Sequence, residues 1–362
     1  MNKKLYSLLA LVMVASLVLA ACGAQPTEAP VVEEPAVEEP VAEEPTVEEP
    51  AEEVDFLVCQ VTDTGGIDDA SFNQTAWKGV EDAQAELGVE GAFLESQEQA
   101  DYETNIGAFI DQGCNLIITV GFLLGDATAA AATANPDQAF GIIDVDYLDF
   151  PNVTGHAYDT DQAAFLAGYV AAATSQKGVV GTFGGINIPP VTIFMDGFWY
   201  GVQYYNEENG ADVQVLGWDP ATPDLGLFTG NFDSLEDGRA MAVTLMDQGA
   251  DIIMPVAGPV GLGTAAAVQE RGNAWIIGVD TDWTQSAPEY ASIVLASVMK
   301  RMDTTVYDHI EMLLNGEIPG ALILGTLENG GVSLAGEFDA DLQTKLDELS
   351  AGIIAGEIQT GP

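Results

Sequence analysis

The sequence predicts an α/β fold of two doubly wound lobes with a ligand cleft between them, and three observations carry that expectation. Short apolar runs alternate with amphipathic stretches from residue 55 onward, the pattern of parallel strands joined by helices. The body of about 300 residues exceeds one comfortable hydrophobic core, which favours two lobes. Gly, Asp and Asn gather after nearly every apolar run, where the loops of an open parallel sheet build a ligand crevice.

The first strand is Phe56-Leu57-Val58-Cys59-Gln60-Val61. Further apolar runs predict strands over 116–120, 141–145, 179–183, 213–216, 252–256, 275–279 and 293–295. Helices are expected over 71–87, 102–111, 127–134, 162–174, 194–206, 236–248, 262–271 and 298–314. In the first of them Phe72, Ala76, Val80, Ala83 and Leu87 fall near helical spacing. The strand ends carry Asp63-Thr64-Gly65-Gly66, Gly121, Asp144-Val145-Asp146, Gly184-Gly185-Ile186-Asn187, Ala257-Gly258 and Asp280-Thr281-Asp282. Any one of these reads as ordinary loop chemistry, because Gly permits tight turns and close approach. Their recurrence points to a cleft without naming its ligand.

Residues 1–21 begin with Lys3 and Lys4 and continue into an apolar run from Leu8 to Ala20, too short for a comfortable membrane span and suited to a signal peptide. The run ends in Leu19-Ala20-Ala21-Cys22, which looks like a bacterial lipobox. Cys22 is therefore the expected site of lipidation, palmitate included, and the mature N-terminus. Residues 22–54 repeat Glu-Glu-Pro four times. Proline favours the polyproline helix and the glutamates repel one another, so a disordered, extended tether is expected. It spaces the domain over 55–362 from an extracytoplasmic membrane face to which the lipid holds it.

Nine Lys and Arg stand against 57 Asp and Glu, a formal charge of −48. Nucleic acid and charge-driven lipid docking are excluded as partners, because phosphate needs a basic face. Eleven of the acids lie in the tether and 46 in the body, so the body is acidic in its own right. Cys22, Cys59 and Cys114 are too few for a disulfide framework, and His156 and His309 leave little room for zinc. Cys59 and Cys114 read as buried or inert. The chain shows neither a phosphate loop nor a nucleophile elbow, and no nucleophile motif stands beside either His, so an exported enzyme is the weaker class. No catalytic residue, cofactor or metal is expected.

Four segments carry a family resemblance: Asp63-Thr64-Gly65-Gly66-Ile67-Asp68-Asp69-Ala70-Ser71-Phe72-Asn73-Gln74, Ala257-Gly258-Pro259-Val260-Gly261-Leu262-Gly263, Ile277-Gly278-Val279-Asp280-Thr281-Asp282 and Ser297-Val298-Met299-Lys300-Arg301. With the lipobox, they make the chain resemble the basic membrane protein family, the PnrA-like substrate-binding lipoproteins of ABC transporters. The resemblance implies a type I periplasmic-binding-protein-like fold that binds purine nucleosides between its lobes. It further implies an ABC permease and its ATPase as partners, and a monomer. A receptor that presents the ligand to a sensor protein is the rival reading.

Carried over residue by residue, the resemblance makes Phe72 the aromatic that stacks on the base. Asn73, a donor and acceptor, suits the base edge. Ser71 reads equally as a ligand contact or a helix N-cap. Phe232 is the second aromatic by its motif, with Phe198 and Phe228 as rivals. Asp280 matches the acid that holds the sugar hydroxyls, and Lys300 the lysine near the sugar, with a solvent-facing helix residue as the alternative. Gly258 offers backbone at close range. Asp144 and Asp146 end a strand and can read a base edge, as can Asp126 and Asp159; their order stays open. The acid excess favours a neutral nucleoside such as adenosine, guanosine or inosine over a nucleotide.

Overall fold

In a computed structural model, residues 55–317 and 322–362 are described. The expected signal peptide, Cys22 and the tether lie outside the described residues. The first lobe opens with β1 (Leu57–Val61), α1 (Phe72–Leu87), β2 (Glu90–Leu94), α2 (Tyr102–Gln112) and β3 (Leu116–Val120). It continues through α3 (Gly125–Ala134), β4 (Ala139–Ile143) and β5 (Val153–Tyr158). The second lobe opens with α4 (Thr160–Thr174), β6 (Val179–Gly184), α5 (Pro189–Asn209), β7 (Gln214–Leu216), α6 (Leu235–Asp247) and β8 (Ile252–Val256). After it come α7 (Val260–Arg271), β9 (Trp275–Asp280), the short α8 (Trp283–Ser286) and β10 (Val294–Lys300). The C-terminal part holds α9 (Met302–Leu314), β11 (Leu322–Gly325), β12 (Val332–Ala335) and α10 (Ala340–Ile354).

The two six-stranded sheets have matching orders, β11-β5-β4-β3-β1-β2 and β12-β10-β9-β8-β6-β7. All pairings are parallel except β10 with β12. Each sheet thus places its first strand inside and its second at the edge, the doubly wound arrangement that opens a crevice at the carboxyl ends. The chain passes between lobes three times: after β5, between β10 and α9, and between β11 and β12. Helix α9 follows a strand of the second lobe but packs on α1 and β4 of the first. The crossings touch, with Asp159 N donating to Gly325 O and Arg301 N to Gly331 O, both at 2.9 Å. Three adjacent crossings are the arrangement in which hinges between lobes are built.

The central strands β3 and β8 are buried at every position, which is why they read as continuous apolar runs. The structure corrects three expectations. The helix expected over 298–314 begins only at Met302, and β10 runs on to Lys300. Lys300 is therefore a buried strand end, not a solvent-facing helix residue. Cys59 and Cys114 are buried as expected, but they are joined in a disulfide closing 55 residues of sequence. Such a loop restrains the unfolded chain by about 2–4 kcal/mol. Helix α5 starts five residues before the expected 194, because Pro189 and Pro190 occupy its first turn, where no N–H is needed.

Under the first lobe, β5 and α9 share a buried polar seam. His156 Nε2 and His309 Nδ1 are 3.0 Å apart, and Tyr158 Oη lies 2.5 Å from Thr305 Oγ1. Burial lowers both imidazoles, His309 to about 4. A histidine depressed on folding stabilises above its unfolded pKa near 6.5 and loses that stability as pH falls towards 4. The two rings touch, so the pair loses this stability together. Urea titrations of the wild type and the His156→Gln/His309→Gln variant should show the wild type losing more stability between pH 7 and 4.5. Parallel pH profiles would contradict a neutral buried pair.

Candidate functional site

The cleft lies where the carboxyl ends of the two sheets meet and encloses about 590 Å³ including its mouth. In the first lobe, β1 delivers Asp63. Its Oδ1 accepts from Gly65 N at 2.9 Å and from Asn73 Nδ2 at 2.7 Å, while Asp63 N donates to Asn73 Oδ1 at 3.3 Å. Asp69 caps α1: its carboxylate accepts the backbone N–H groups of Ser71, Asn73 and Gln74, and Asn73 Nδ2 as well. Anionic capping of a helix N-terminus satisfies donors that otherwise lack partners. Burial nonetheless raises the Asp69 carboxyl to about 7, against the pull of those donors.

This capping settles local roles. Ser71 stands at the N-cap position, yet its side chain makes no capping bond. Its hydroxyl instead crosses to the second lobe, donating to Asp280 Oδ2 at 2.8 Å and approaching Val279 O at 3.4 Å. Asn73 lines the cleft, but its amide is spent on Asp63 and Asp69. Phe72, the first residue of α1, is half-buried and lines the cleft. Gly121, at φ +120°, passes close to it: a Cβ there would lie 3.5 Å from Phe72 Cε1.

Asp144, just beyond β4, lines the cleft and meets the Lys300 ammonium at 2.5 Å. Lys300 comes from the second lobe, and its side chain is 2% exposed. Three rings surround the ammonium, with centroids at 4.8 Å for Phe72, 5.1 Å for Tyr158 and 5.9 Å for Phe194. The negative faces of aromatic rings and one carboxylate thus compensate a charge withdrawn from water. Burial raises the carboxyls of Asp63, Asp144 and Asp280; the Lys300 ammonium opposes the rise at Asp144 and Asp280.

From the second lobe come Phe194 on α5, Phe232 just before α6, Gly258 after β8 and Asp280 at the end of β9. The ring of Phe232 rests on Gly185; a Cβ at 185 would lie 2.3 Å from Cε1 of that ring. Gly258, at φ +55°, uses its freedom from a Cβ to turn the chain at the cleft floor.

Ser71, Phe72, Asn73, Asp144, Phe232, Gly258, Asp280 and Lys300 therefore gather in one place, with Ser71 reaching it through Asp280. Asp146 does not: it is exposed and outside the lining, as is Asp126. Asp159 sits at a crossing and not in the cleft. Among the rival aromatics, Phe198 is fully buried in the core and Phe228 packs edge-on against Trp218, so Phe232 alone of the three lines the cleft. Sequence reasoning missed Asp63 and Phe194 as site residues. Asp63 carried a signal, standing directly after a strand in the motif. Phe194 carried none, since its spacing reads as helix core. Among the described residues, no group of three or more His, Cys, Asp or Glu is arranged to hold a metal, and no helix is long and apolar enough to cross a membrane.

The family model described as ABC transporter substrate-binding protein, PnrA-like, matches residues 56–360. A relative named ABC transporter nucleoside-binding protein BmpA, from Lactococcus lactis, is 29% identical over 325 residues, covering 84% of this chain and 89% of its own. Basic membrane protein A of Borreliella burgdorferi is 31% identical over 303 residues, covering 81% and 84%. A solved ABC transporter solute-binding protein from Aeropyrum pernix superposes with a TM-score of 0.75 at 29% identity, covering 84% of this chain and 92% of that one. With two mainly parallel sheets flanking the cleft, the chain belongs to the PnrA-like family of ABC transporter substrate-binding proteins.

Proposed function

We propose that this protein captures purine nucleosides between its lobes and delivers them to an ABC permease from a lipid-anchored, extracytoplasmic position. One observation carries the ligand class: aromatic rings from both lobes share a cleft with buried carboxylates that need donors. Phe72 and Phe232 offer flat faces for a base. Asp280 keeps Oδ1 for sugar hydroxyls while Ser71 holds Oδ2, and a carboxylate pairs naturally with a diol. Asp63 and Asp144 offer acceptors to the N–H groups of a base edge. Lys300 is already partnered by Asp144, so a phosphate would face Asp63, Asp69, Asp144 and Asp280 with no free cation among the described lining residues, which disfavours nucleotides. The name of the L. lactis relative supports the same class.

The anchor rests on Leu19-Ala20-Ala21-Cys22, and the acidic Glu-Pro repeats are read as the spacer. The protein acts as a monomer that binds its solute, closes, and presents the closed lobes to the permease. Mass spectrometry of small molecules released from the denatured protein, followed by calorimetry with inosine, guanosine, adenosine, uridine and AMP, tests this. Purine nucleosides should bind, be recovered unchanged and outcompete AMP. Binding of a different solute with no response to any nucleoside would overturn the ligand class.

A further inference from the structure

The ends of β4 and β9 repeat one another. Asp144-Val145-Asp146-Tyr147 follows the fourth strand of the first lobe, and Asp280-Thr281-Asp282-Trp283 closes the fourth strand of the second. The first aspartate of each stands in the left-handed region, at φ +67° for Asp144 and +71° for Asp280. Among the described residues only Ala70 is a further non-glycine there. Such a backbone is uncommon even for aspartate and marks positions held by their surroundings. Both carboxylates are buried in the cleft, and each takes its side-chain hydrogen bond from the opposite lobe. Lys300 of the second lobe donates to Asp144, and Ser71 of the first donates to Asp280. No side chain of its own lobe hydrogen-bonds to either carboxylate among the described residues.

We propose that Asp144 and Asp280 form a reciprocal clasp in which Ser71 and Lys300 are positioning residues. Rotation about the three crossings separates the lobes, and either cross-lobe bond then has to break. In an opened cleft each carboxylate lacks the donor that orients it; closure supplies both at once. Ser71 thus acts on ligand through Asp280: it fixes Oδ2 and so aims Oδ1. The free energy of the two bonds is available only to the closed state, so it slows ligand release and draws the ligand-free lobes toward closure. The inference rests on the nucleoside reading only for its probe.

Ser71→Ala is a clean test, because Asp69 and not Ser71 caps α1. In the full chain, Ser71→Ala should raise the Kd for inosine roughly tenfold, chiefly through koff. In an Asp280→Asn background the same change should alter Kd by less than about twofold, since its target has lost its charge. A direct contact between Ser71 and inosine would keep the full effect in that background and overturn the clasp, as would a loss of affinity carried by a slower kon. Small-angle scattering of the protein alone gives an arm independent of the ligand. Ser71→Ala and Asp280→Asn should each enlarge the radius of gyration relative to the wild type, and identical radii would overturn the clasp. If inosine fails to bind the wild type, the nucleoside reading falls, and the clasp is decided by scattering.

Discussion

Phe72→Ala should weaken purine nucleoside binding about 10- to 100-fold, because base–aromatic stacking contributes roughly 1–3 kcal/mol. The ring has a second duty: its centroid lies 4.8 Å from the Lys300 ammonium. Removing it strips one of three rings from a charge that is out of water, and the loss compounds the stacking deficit. Phe72→Leu should keep the apolar volume, lose the flat face and fall between the two. Because Phe72 is only half-buried, the unfolding temperature should move little. Calorimetry with inosine at one salt concentration decides the matter. Wild-type affinity in Phe72→Ala would remove Phe72 from the site.

Asp144→Asn should cost up to about 3–5 kcal/mol of folding stability, the usual result of removing one partner from a buried ion pair, with opening of the lobes setting the limit. The reason is Lys300, whose side chain is 2% exposed and whose only carboxylate within salt-bridge reach among the described residues is Asp144. Asparagine keeps the tolerance for a left-handed backbone that Ala lacks, so the loss reports charge and not strain. Adding Lys300→Met should restore most of the stability, since an apolar residue of similar volume leaves no charge to compensate. Differential scanning calorimetry reads both steps. An Asp144→Asn variant as stable as the wild type would show that the three rings suffice for the lysine.

Much of this architecture was legible because it is written locally. Runs such as Leu116-Ile117-Ile118-Thr119-Val120 are buried at every position, and burial on both faces of a sheet shows in sequence as an unbroken apolar stretch. The strands that escaped notice are of another kind. The edges β2, β11 and β12 are short and partly exposed, and β5 carries Gly155 and His156. Half-exposed strands need no continuous apolar run, and a buried histidine looks polar until its partner is known. Lys300 was misplaced for a related reason: the apolar residues before it suit a strand or a helix equally, and only pairing with β9 and β12 decides.

The sequence by itself determined the α/β class, the acidic surface, and the end of each sheet at which ligand chemistry collects. Those are properties of composition and of spacing along the chain, and they survive any rearrangement of the lobes. The tertiary structure alone decided which acids face inward and what each of them meets. Ser71 reaches Asp280 across 209 residues of sequence, His156 meets His309 across 153, and Cys59 bonds Cys114 across 55. No periodicity encodes such meetings. The first follows from two sheets with the same strand order packing their carboxyl ends together, so that one lobe supplies donors for carboxylates buried in the other; the other two arise within the first lobe, where β1 pairs with β3 and α9 packs back on the sheet.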